Sequence, residues 1–236
     1  MFVFKGISSE EMEVVAEEEQ LFLAKSSQKY EQIDINGMNG AIFNLNGYAV
    51  IERPIKLQIL NKNKLDKIFE WLNGVGEFEY QSRITNAQFL QTIEPERNSL
   101  ILIADMNFIR DPFWNKKRDE YIEVKNTIFN EGTIYSEPIF KLVRGSANQI
   151  IIKINGVIIQ YDFPENEDYV EINCETGQVT YNNLNRSRNI TMDFQFPIIN
   201  CGENKIEIEQ YMITKSGKTA VNNAKVFVRR KDRWLW

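Results

Sequence analysis

Residues 130–156, NEGTIYSEPIFKLVRGSANQIIIKING, decide the fold because they predict the start of an all-β region. Pro138 lacks a backbone N–H and suits the first residue of a strand, so the following residues, 139–143, are predicted to be that strand. Residues 150–154 are a second β-branched run. They lead into the dipeptide Asn155-Gly156, which is typical of a type I′ hairpin turn. A β-hairpin is therefore predicted here.

The remainder of the second half continues with short strands at regular spacing. Apolar and polar residues alternate over several further segments, and the clearest of these are residues 169–174, 179–181, 206–209 and 225–228. Met192, Phe194 and Phe196 are predicted to form one face of another strand, ended by Pro197. Because no helical pattern intervenes, this half is predicted to be a β-sandwich or barrel.

The first half is also rich in predicted strands but carries one predicted helix. Predicted strands cover residues 2–4, 21–24 and 55–59, and the apolar run 100–104 is predicted to be buried or central. The helix is predicted from apolar residues at i, i+3, i+4 and i+7, which are Leu65, Ile68, Phe69 and Leu72.

The predicted helix has candidate signals at both ends. Asn61 or Asn63 is the candidate cap at its start, and Gly74 is predicted to end it. Residues 111–120 are predicted to be a joint between two domains. We therefore predict an α+β, mainly β domain over residues 1–114 and a β-sandwich over residues 115–236.

Composition excludes several classes of function. The chain has 236 residues, two cysteines, a formal net charge of −5 and no histidine. Without histidine, Ser-His-Asp and Cys-His nucleophile activation and every histidine-bearing metal site are excluded. The charge argues against wrapping nucleic acid, and no run is long enough to span a membrane. No catalytic, cofactor-binding or metal-binding residue is therefore predicted, and two thiols are expected to be reduced and buried.

The order of several turn motifs resembles one known family. The pattern N-x-G-T-x-x-x-x-P at residues 130–138, the break Gly145-Ser146 and the strand ending in I-N-G resemble the distal tail proteins of siphophages. Phe196-Pro197 followed by residues 202–206 is similar to the F-P…G-x-N-x-I segment of that family. Residues 2–6 and 30–40 are similar to its opening pattern, with one departure, because Met38-Asn39 stands where a charged pair is usual.

The resemblance implies a structural virion protein rather than an enzyme. Distal tail proteins form a hexameric ring between the tail tube and the adhesion or baseplate proteins, with a channel for DNA. The N-terminal domain is expected to make the ring, and the C-terminal domain is expected to be a galectin-like β-sandwich. The implied partners are five further copies, the tail tube protein and the adhesion proteins, with DNA passing unbound and no membrane or cofactor. The implied location is the virion tail tip, after assembly in the host cytoplasm.

Two other functions remain open on the sequence. The first is a carbohydrate-binding module contacting host cell-wall glycans, although the usual galectin sugar site needs a histidine that this chain lacks. The second is a hydrolase that uses two carboxylates, although no Asp or Glu pair has a distinctive spacing. Tyr135-Ser136-Glu137 has neither the glycine frame of a nucleophile elbow nor a histidine partner.

Aromatic residues outside the predicted strands are candidates for subunit contacts, because aromatic side chains are enriched in interfaces. The interface candidates are Trp71, Phe113, Trp114, Trp234 and Trp236. Trp71 lies at the margin of the helix stripe, so it either packs on its own subunit or contacts another.

The C-terminal tail is predicted to be ordered, because two free tryptophans are an association hazard. It docks either on its own sandwich or on a neighbouring protein. The nearby cluster Arg229-Arg230-Lys231-Asp232-Arg233 is predicted to be solvated strand-end charge or, alternatively, an anion contact.

Overall fold

The computed structural model describes residues 1–89, 94–98 and 101–236, and it divides the chain into two compact units. The first unit comprises Met1–Lys117 together with Trp234–Trp236, and the second comprises Arg118–Arg233. The division after Lys117 falls inside the predicted joint at residues 111–120, three residues beyond the predicted boundary. The last three residues belong to the first unit. Most of the described residues are in strands, which confirms the mainly β fold class.

The first unit is built on one antiparallel sheet. Its strands are β1 (Val3–Phe4), β2 (Ile7–Ser8), β3 (Val14–Ala16), β4 (Gln28–Asp34), β5 (Ala41–Tyr48), β6 (Ile51–Ile59), β7 (Gly74–Tyr80), β8 (Arg83–Phe89), β9 (Glu94–Asn98), β10 (Ile101–Arg110) and β11 (Trp114–Lys116). The main sheet has the order β2-β1-β7-β8-β10-β6-β3, with β9 also on β10 and β11 also on β8, whereas β4 and β5 form a separate two-stranded sheet.

The second unit is a β-sandwich. Its strands are β12 (Ile122–Glu123), β13 (Thr127–Asn130), β14 (Ile139–Val143), β15 (Gln149–Ile154), β16 (Val157–Asp162), β17 (Tyr169–Asn173), β18 (Gln178–Tyr181), β19 (Leu184–Asn185), β20 (Ile190–Met192), β21 (Gly202–Thr214), β22 (Gly217–Ala220) and β23 (Lys225–Arg229). One sheet has the order β12-β23-β14-β17-β18-β19 and the other the order β13-β21-β15-β16-β20, with β22 also on β21. Apolar residues of both sheets form one buried core.

The predicted hairpin at residues 150–159 is confirmed. β15 pairs with β16 in register from Gln149↔Asp162 to Ile154↔Val157. Asn155 and Gly156 have φ values of +50° and +82°, as a type I′ turn requires at both central positions. The side chain of Asn155 also donates to the Ile198 carbonyl at 2.9 Å, so the turn is tied to a second segment of the unit.

One strand prediction in this unit is wrong. β20 ends at Met192, opposite Ile159 of β16, and residues 193–195 bend away. Phe194 is fully exposed at 100%, while Phe196 turns back and packs against the core. The segment that holds Met192, Phe194 and Phe196 is therefore bent, and only Phe196 of the three packs against the core.

The core of the first unit is rich in aromatic side chains. A second strand prediction, which concerns residues of this core, is wrong. Residues 21–24 were predicted to be a strand, but Glu19–Leu23 is a 3₁₀ helix. Phe22 inserts its ring between Phe78 and Phe108, with ring centroids 5.0 Å from each. The buried Arg110 donates to the carbonyls of Phe22 at 3.1 Å and of Ala24 at 2.6 Å. The guanidinium of Arg110, and not a neighbouring strand, therefore binds these two backbone carbonyls.

The predicted helix exists, but it is short and rotated from the predicted stripe. A 3₁₀ turn, Lys62–Lys64, leads into α1 (Leu65–Trp71), and Asn61 caps the turn by accepting from the Asn63 N–H at 3.1 Å. Trp71 is buried and donates its indole N–H to the Phe4 carbonyl at 2.7 Å. The helix therefore covers the sheet with Ile68, Trp71 and the following Leu72.

The apolar run at residues 100–104 belongs to an interior strand, apart from Leu100, which lies outside the described residues. β10 pairs with β6 over nine positions and also with β8 and β9. Its central position in the sheet is therefore confirmed.

Candidate subunit-contact surface

The family-like motifs of the second unit lie in hydrogen-bonded turns. Asn130 donates from its amide to the carbonyls of Ile134 at 3.0 Å and Ile199 at 3.1 Å, and its Oδ1 accepts from the Gly132 N–H at 2.8 Å. A Cβ at Gly132 would collide with the backbone of Arg233. The Asn-x-Gly pattern is therefore explained by a close backbone approach.

Two other motif asparagines contact each other directly. Asn155 of the I-N-G motif donates to Oδ1 of Asn204, which belongs to the G-x-N-x-I segment, at 2.8 Å. Asn204 is buried, and it also accepts from the Asn200 N–H and donates to the carbonyls of Asn200 and Gly202. Because buried polar groups need partners, these side chains stabilise the turns that join the sheets.

Within the described residues, the motif serine and the buried thiol are poorly placed for nucleophilic chemistry. Ser136 is fully buried. Burial raises the pKa of the Cys174 thiol above its usual value, first through desolvation and then through the charge of Glu137, and the thiolate is the reactive form. No group of three or more acidic or cysteine side chains in the described part of the chain is arranged to hold a metal ion.

Helices long and apolar enough to cross a bilayer are not found among the described residues.

The basic cluster at residues 229–233 is not a set of solvated charges. Arg233 is buried and pairs with Glu137 and Glu175, each at 2.8 Å. Arg230 pairs with Glu131 at 3.0 Å and with the buried Asp232 at 3.0 Å. Arg230 and Arg233 are therefore matched by acidic residues of the same unit, and neither solvation nor an external anion is needed to balance these two charges.

Two of the five interface candidates are buried within the first unit. Trp71 and Trp114 both belong to its core, and the guanidinium of Arg110 lies 4.8 Å from the Trp114 ring. They leave no side-chain surface for a neighbouring subunit in this structure. The remaining candidates are Phe113, Trp234 and Trp236.

The aromatic tail packs on its own chain, but on the first unit rather than on the sandwich. Trp234 belongs to β24 (Arg233–Trp234), which pairs with β11, and its side chain packs against the aromatic core. The Arg83 guanidinium lies 4.6 Å from the Trp234 ring and 4.8 Å from the Trp236 ring. Trp236 keeps 48% of its surface exposed, so only this residue of the tail offers a large free apolar surface.

A hairpin that was not among the interface candidates exposes far more apolar surface. We call residues 28–48, which contain β4 and β5, the hairpin arm. Its strands pair in register from Tyr30↔Leu45 to Asp34↔Ala41, with an irregularity between Gln28 and Tyr30. Within the described chain, neither strand pairs with any other strand. Since an isolated two-stranded hairpin is marginally stable in water, the arm needs support from elsewhere.

Both faces of the hairpin arm carry exposed apolar side chains, because alternate residues of a strand point to opposite faces. One face carries Tyr30, Phe43 and Leu45, which are 61%, 57% and 57% exposed, and the other carries Ile33 and Ile42. Ile35 and Met38 are exposed in the connecting turn. Contiguous apolar surface of this kind marks an interaction site.

The base of the arm is anchored to the first unit. The Ala49 N–H donates to the Ser27 carbonyl at 2.9 Å, and Ser26 donates from its hydroxyl to the Ala49 carbonyl at 2.5 Å. The ring of Tyr48 meets that of Phe113 edge to face, with centroids 5.1 Å apart. Phe113, an interface candidate, therefore lies at the root of the arm, and the projecting part is left without a core.

Sequence reasoning missed the arm because its signals were divided between two features. The Asn-Gly dipeptides at residues 36–37, 39–40 and 46–47 indicated tight turns. The apolar residues on either side do not alternate strictly with polar ones, so no single buried face was predicted. Apolar residues on both faces of a hairpin nevertheless indicate an interaction site, because such a hairpin needs a covering surface on each face.

Comparisons with known proteins find one family model and several solved structures that are similar to this chain. Residues 131–222 match the family model described as "Siphovirus-type tail component, C-terminal domain". The crystal structure of the Dit protein of phage SPP1 is similar over 97% of both chains, with a TM-score of 0.68 and 10% identity. A chain of the phage P2 baseplate in its activated conformation aligns over 93% of this chain and 91% of its own, with a TM-score of 0.38 and 12% identity. No curated protein sequence matches this chain.

The matched part of the second unit is a siphovirus-type tail component domain. The fold of nearly the whole chain is similar to that of the SPP1 Dit protein, and both findings agree with the resemblance to the siphophage distal tail proteins.

Proposed function

We propose that this chain forms a hexameric ring at the distal end of a siphophage tail. The ring joins the tail tube to the tail-tip or baseplate adhesion proteins and leaves a channel for DNA. A ring requires a head-to-tail contact, in which one surface of a subunit meets a different surface of the next copy. The observation that carries the proposal is the hairpin arm, which projects apolar side chains that its own chain does not cover.

The arm is suited to a subunit contact because burying it would be favourable on both faces. Full burial of one large apolar side chain contributes about 1.5–3 kcal/mol, and five such side chains lie on the two arm strands. A partner that covers both faces would therefore gain several times the free energy of burying one side chain. The neighbouring copy in the ring is the proposed partner.

The charge of the chain is consistent with DNA passage rather than DNA binding. The formal net charge is −5, and an acidic wall repels phosphates. The ring acts as a conduit in this proposal, and no catalytic step is assigned to it. Phe113 at the arm root and the exposed Trp236 remain the proposed aromatic contacts among the original candidates.

The arm contact is tested by replacing two of the three large side chains of one face, Phe43→Ser with Leu45→Ser. Because both side chains are exposed, the variant should keep the thermal stability of the isolated subunit. It should fail to enter tails when it is supplied to phage that lack the wild-type protein. Incorporation is measured by the amount of the chain in purified tails.

The matched control is Val75→Ser, since Val75 is 62% exposed in the same unit but lies outside the arm. This variant should be incorporated like the wild type. If the arm variant is incorporated normally, the arm makes no essential contact and the proposal loses its main support.

A further inference from the structure

The second unit has an open cavity that the ring proposal does not use. Its volume is about 750 Å³, within the range of small-molecule sites. The walls come from the loop after β16, the end of β18, and the segment from β19 into the 3₁₀ helix Ser187–Asn189. The lining residues are Pro164, Asn166, Glu167, Tyr181, Asn185, Arg186, Arg188 and Asn189. We call this space the loop cavity.

A buried carboxylate lies in the wall of the loop cavity. Glu167 is only 5% exposed. Its carboxylate accepts hydrogen bonds from the Tyr161 hydroxyl at 2.8 Å and from Arg186 Nε. Burial raises the pKa of Tyr161 above its usual value, so this phenol stays a donor at neutral pH. Glu167 is therefore a fixed acceptor.

The ion pair between Glu167 and Arg186 fixes the orientation of the arginine side chain. Arg186 also donates from Nη1 to the Asn185 carbonyl at 3.2 Å. With Nε and Nη1 engaged, Nη2 remains as a donor whose direction is set by the two contacts.

Two other polar side chains of the cavity, those of Asn166 and Arg188, are exposed. Among the described residues, the side chains of Asn166 and Arg188 make no hydrogen bond or ion pair. Asn189 donates to the Tyr161 hydroxyl through a long contact of 3.4 Å. An amide both donates and accepts, and a guanidinium donates in a fixed plane, so the cavity offers hydrogen bonds of both kinds.

An aromatic ring completes the lining. Tyr181 meets Tyr169 edge to face, with centroids 5.1 Å apart, and the hydroxyl of Tyr169 donates to Asn182 Oδ1 at 2.8 Å. The two rings hold each other in place, and Tyr181 lines the cavity. An aromatic surface beside several polar groups fits a ligand that has one apolar face and many hydroxyls.

We propose that the loop cavity binds a saccharide of one or two rings. Sugar hydroxyls both donate and accept, which matches the amide and guanidinium groups, and the C–H face of a sugar ring packs on an aromatic side chain. A simple anion fits less well. The charge of Arg186 is matched by Glu167, and the loop that holds Glu167 also carries Glu165 and Asp168, whose charges offset that of Arg188. The cavity therefore has no strong field of one sign.

The test is saturation-transfer difference NMR on the full chain with glucose, galactose, rhamnose and N-acetylglucosamine. At least one of these sugars should bind with a Kd of about 1 mM. Arg188→Gln and Asn166→Ala should each weaken its binding about tenfold. Both side chains are exposed, so neither change should disturb the fold.

The matched control is Arg118→Gln, which removes an exposed arginine of the same unit outside the cavity, and it should bind the sugar like the wild type. The proposal is overturned if no sugar of the panel binds, or if the two cavity variants bind as well as the control. It is also overturned if inorganic phosphate binds as tightly as the sugar, since the cavity would then be an anion site. None of these outcomes depends on ring formation.

Discussion

The loss of unfolding free energy in Trp234→Ala measures how strongly the C-terminal tail is bound to its own chain. A buried tryptophan covers about 150–250 Å², and Trp234 is half-buried against the aromatic core. About half of that area, at about 25 cal/mol per Å², corresponds to about 2–3 kcal/mol. The Arg83 guanidinium, 4.6 Å from the ring, adds about 0.5–1 kcal/mol. Trp234→Ala should therefore cost about 3 kcal/mol.

The assay is calorimetric unfolding of the isolated chain. For a unit of this size, 1 kcal/mol shifts the melting temperature by about 4 °C, so the transition of the first unit should fall by about 10 °C. Trp236→Ala is the graded control, because Trp236 is 48% exposed, and it should shift the transition by half as much or less. Arg83→Gln should lose part of its effect when Trp234 is already alanine.

An unchanged melting temperature in Trp234→Ala would refute own-chain docking. If the same variant also failed to enter tails, the tryptophan would be held by a partner protein instead.

Three further outcomes are expected in the second unit. Asn204→Ala should lower the free energy of unfolding by about 2–4 kcal/mol in urea, because it leaves several buried turn groups unpaired, and a loss below about 0.5 kcal/mol would contradict that role. Burial would raise the pKa of Glu175, but the hydrogen bond and charges of its two cationic partners outweigh burial and hold the pKa below 4.5. Its stabilisation is therefore complete above about pH 4.5 and lost as pH falls through the lower folded-state pKa. Glu175→Gln should lose less stability than the wild type on acidification, and equal losses would contradict this. A thiol reagent at pH 8 should label the exposed Cys201 quickly and the buried Cys174 only on unfolding, so rapid labelling of both would be contrary.

The sandwich could be predicted because its signals are local. Ile139–Val143 is a strand at the predicted residues, since Pro138 marks its start and its alternation matches the pleat. The turn at Asn155-Gly156 depends on two residues that tolerate positive φ. Such features are set by neighbours in the sequence, so they can be predicted without knowing the rest of the fold.

The errors concern residues whose state is set by distant contacts. Phe22 lies in a 3₁₀ helix because Arg110, far along the chain, binds the carbonyls there. Trp71 is buried because the Phe4 carbonyl accepts its indole N–H, although periodicity placed it at the margin of the helix stripe. Arg233 is buried because Glu137 and Glu175 surround it. These partners lie far apart in the sequence, so local sequence patterns could not predict the contacts.

The candidate surface was predicted less well than the fold. Aromatic residues were chosen by type, and Trp71 and Trp114 proved to be core residues. The hairpin arm was missed because exposure on both faces of a hairpin is a property of the tertiary structure. Its local signs were the Asn-Gly turns and the flanking apolar residues that do not alternate strictly with polar ones.

The most direct test of the central claim is the symmetry of assembled tails, determined by electron cryomicroscopy of particles that contain this chain. The account predicts one ring of six copies at the distal end, with the hairpin arm, residues 28–48, of each copy packed against the next copy. A ring whose copy number is not a multiple of six would contradict the proposed assembly. A six-membered ring with the arms free in solvent would contradict the proposed contact.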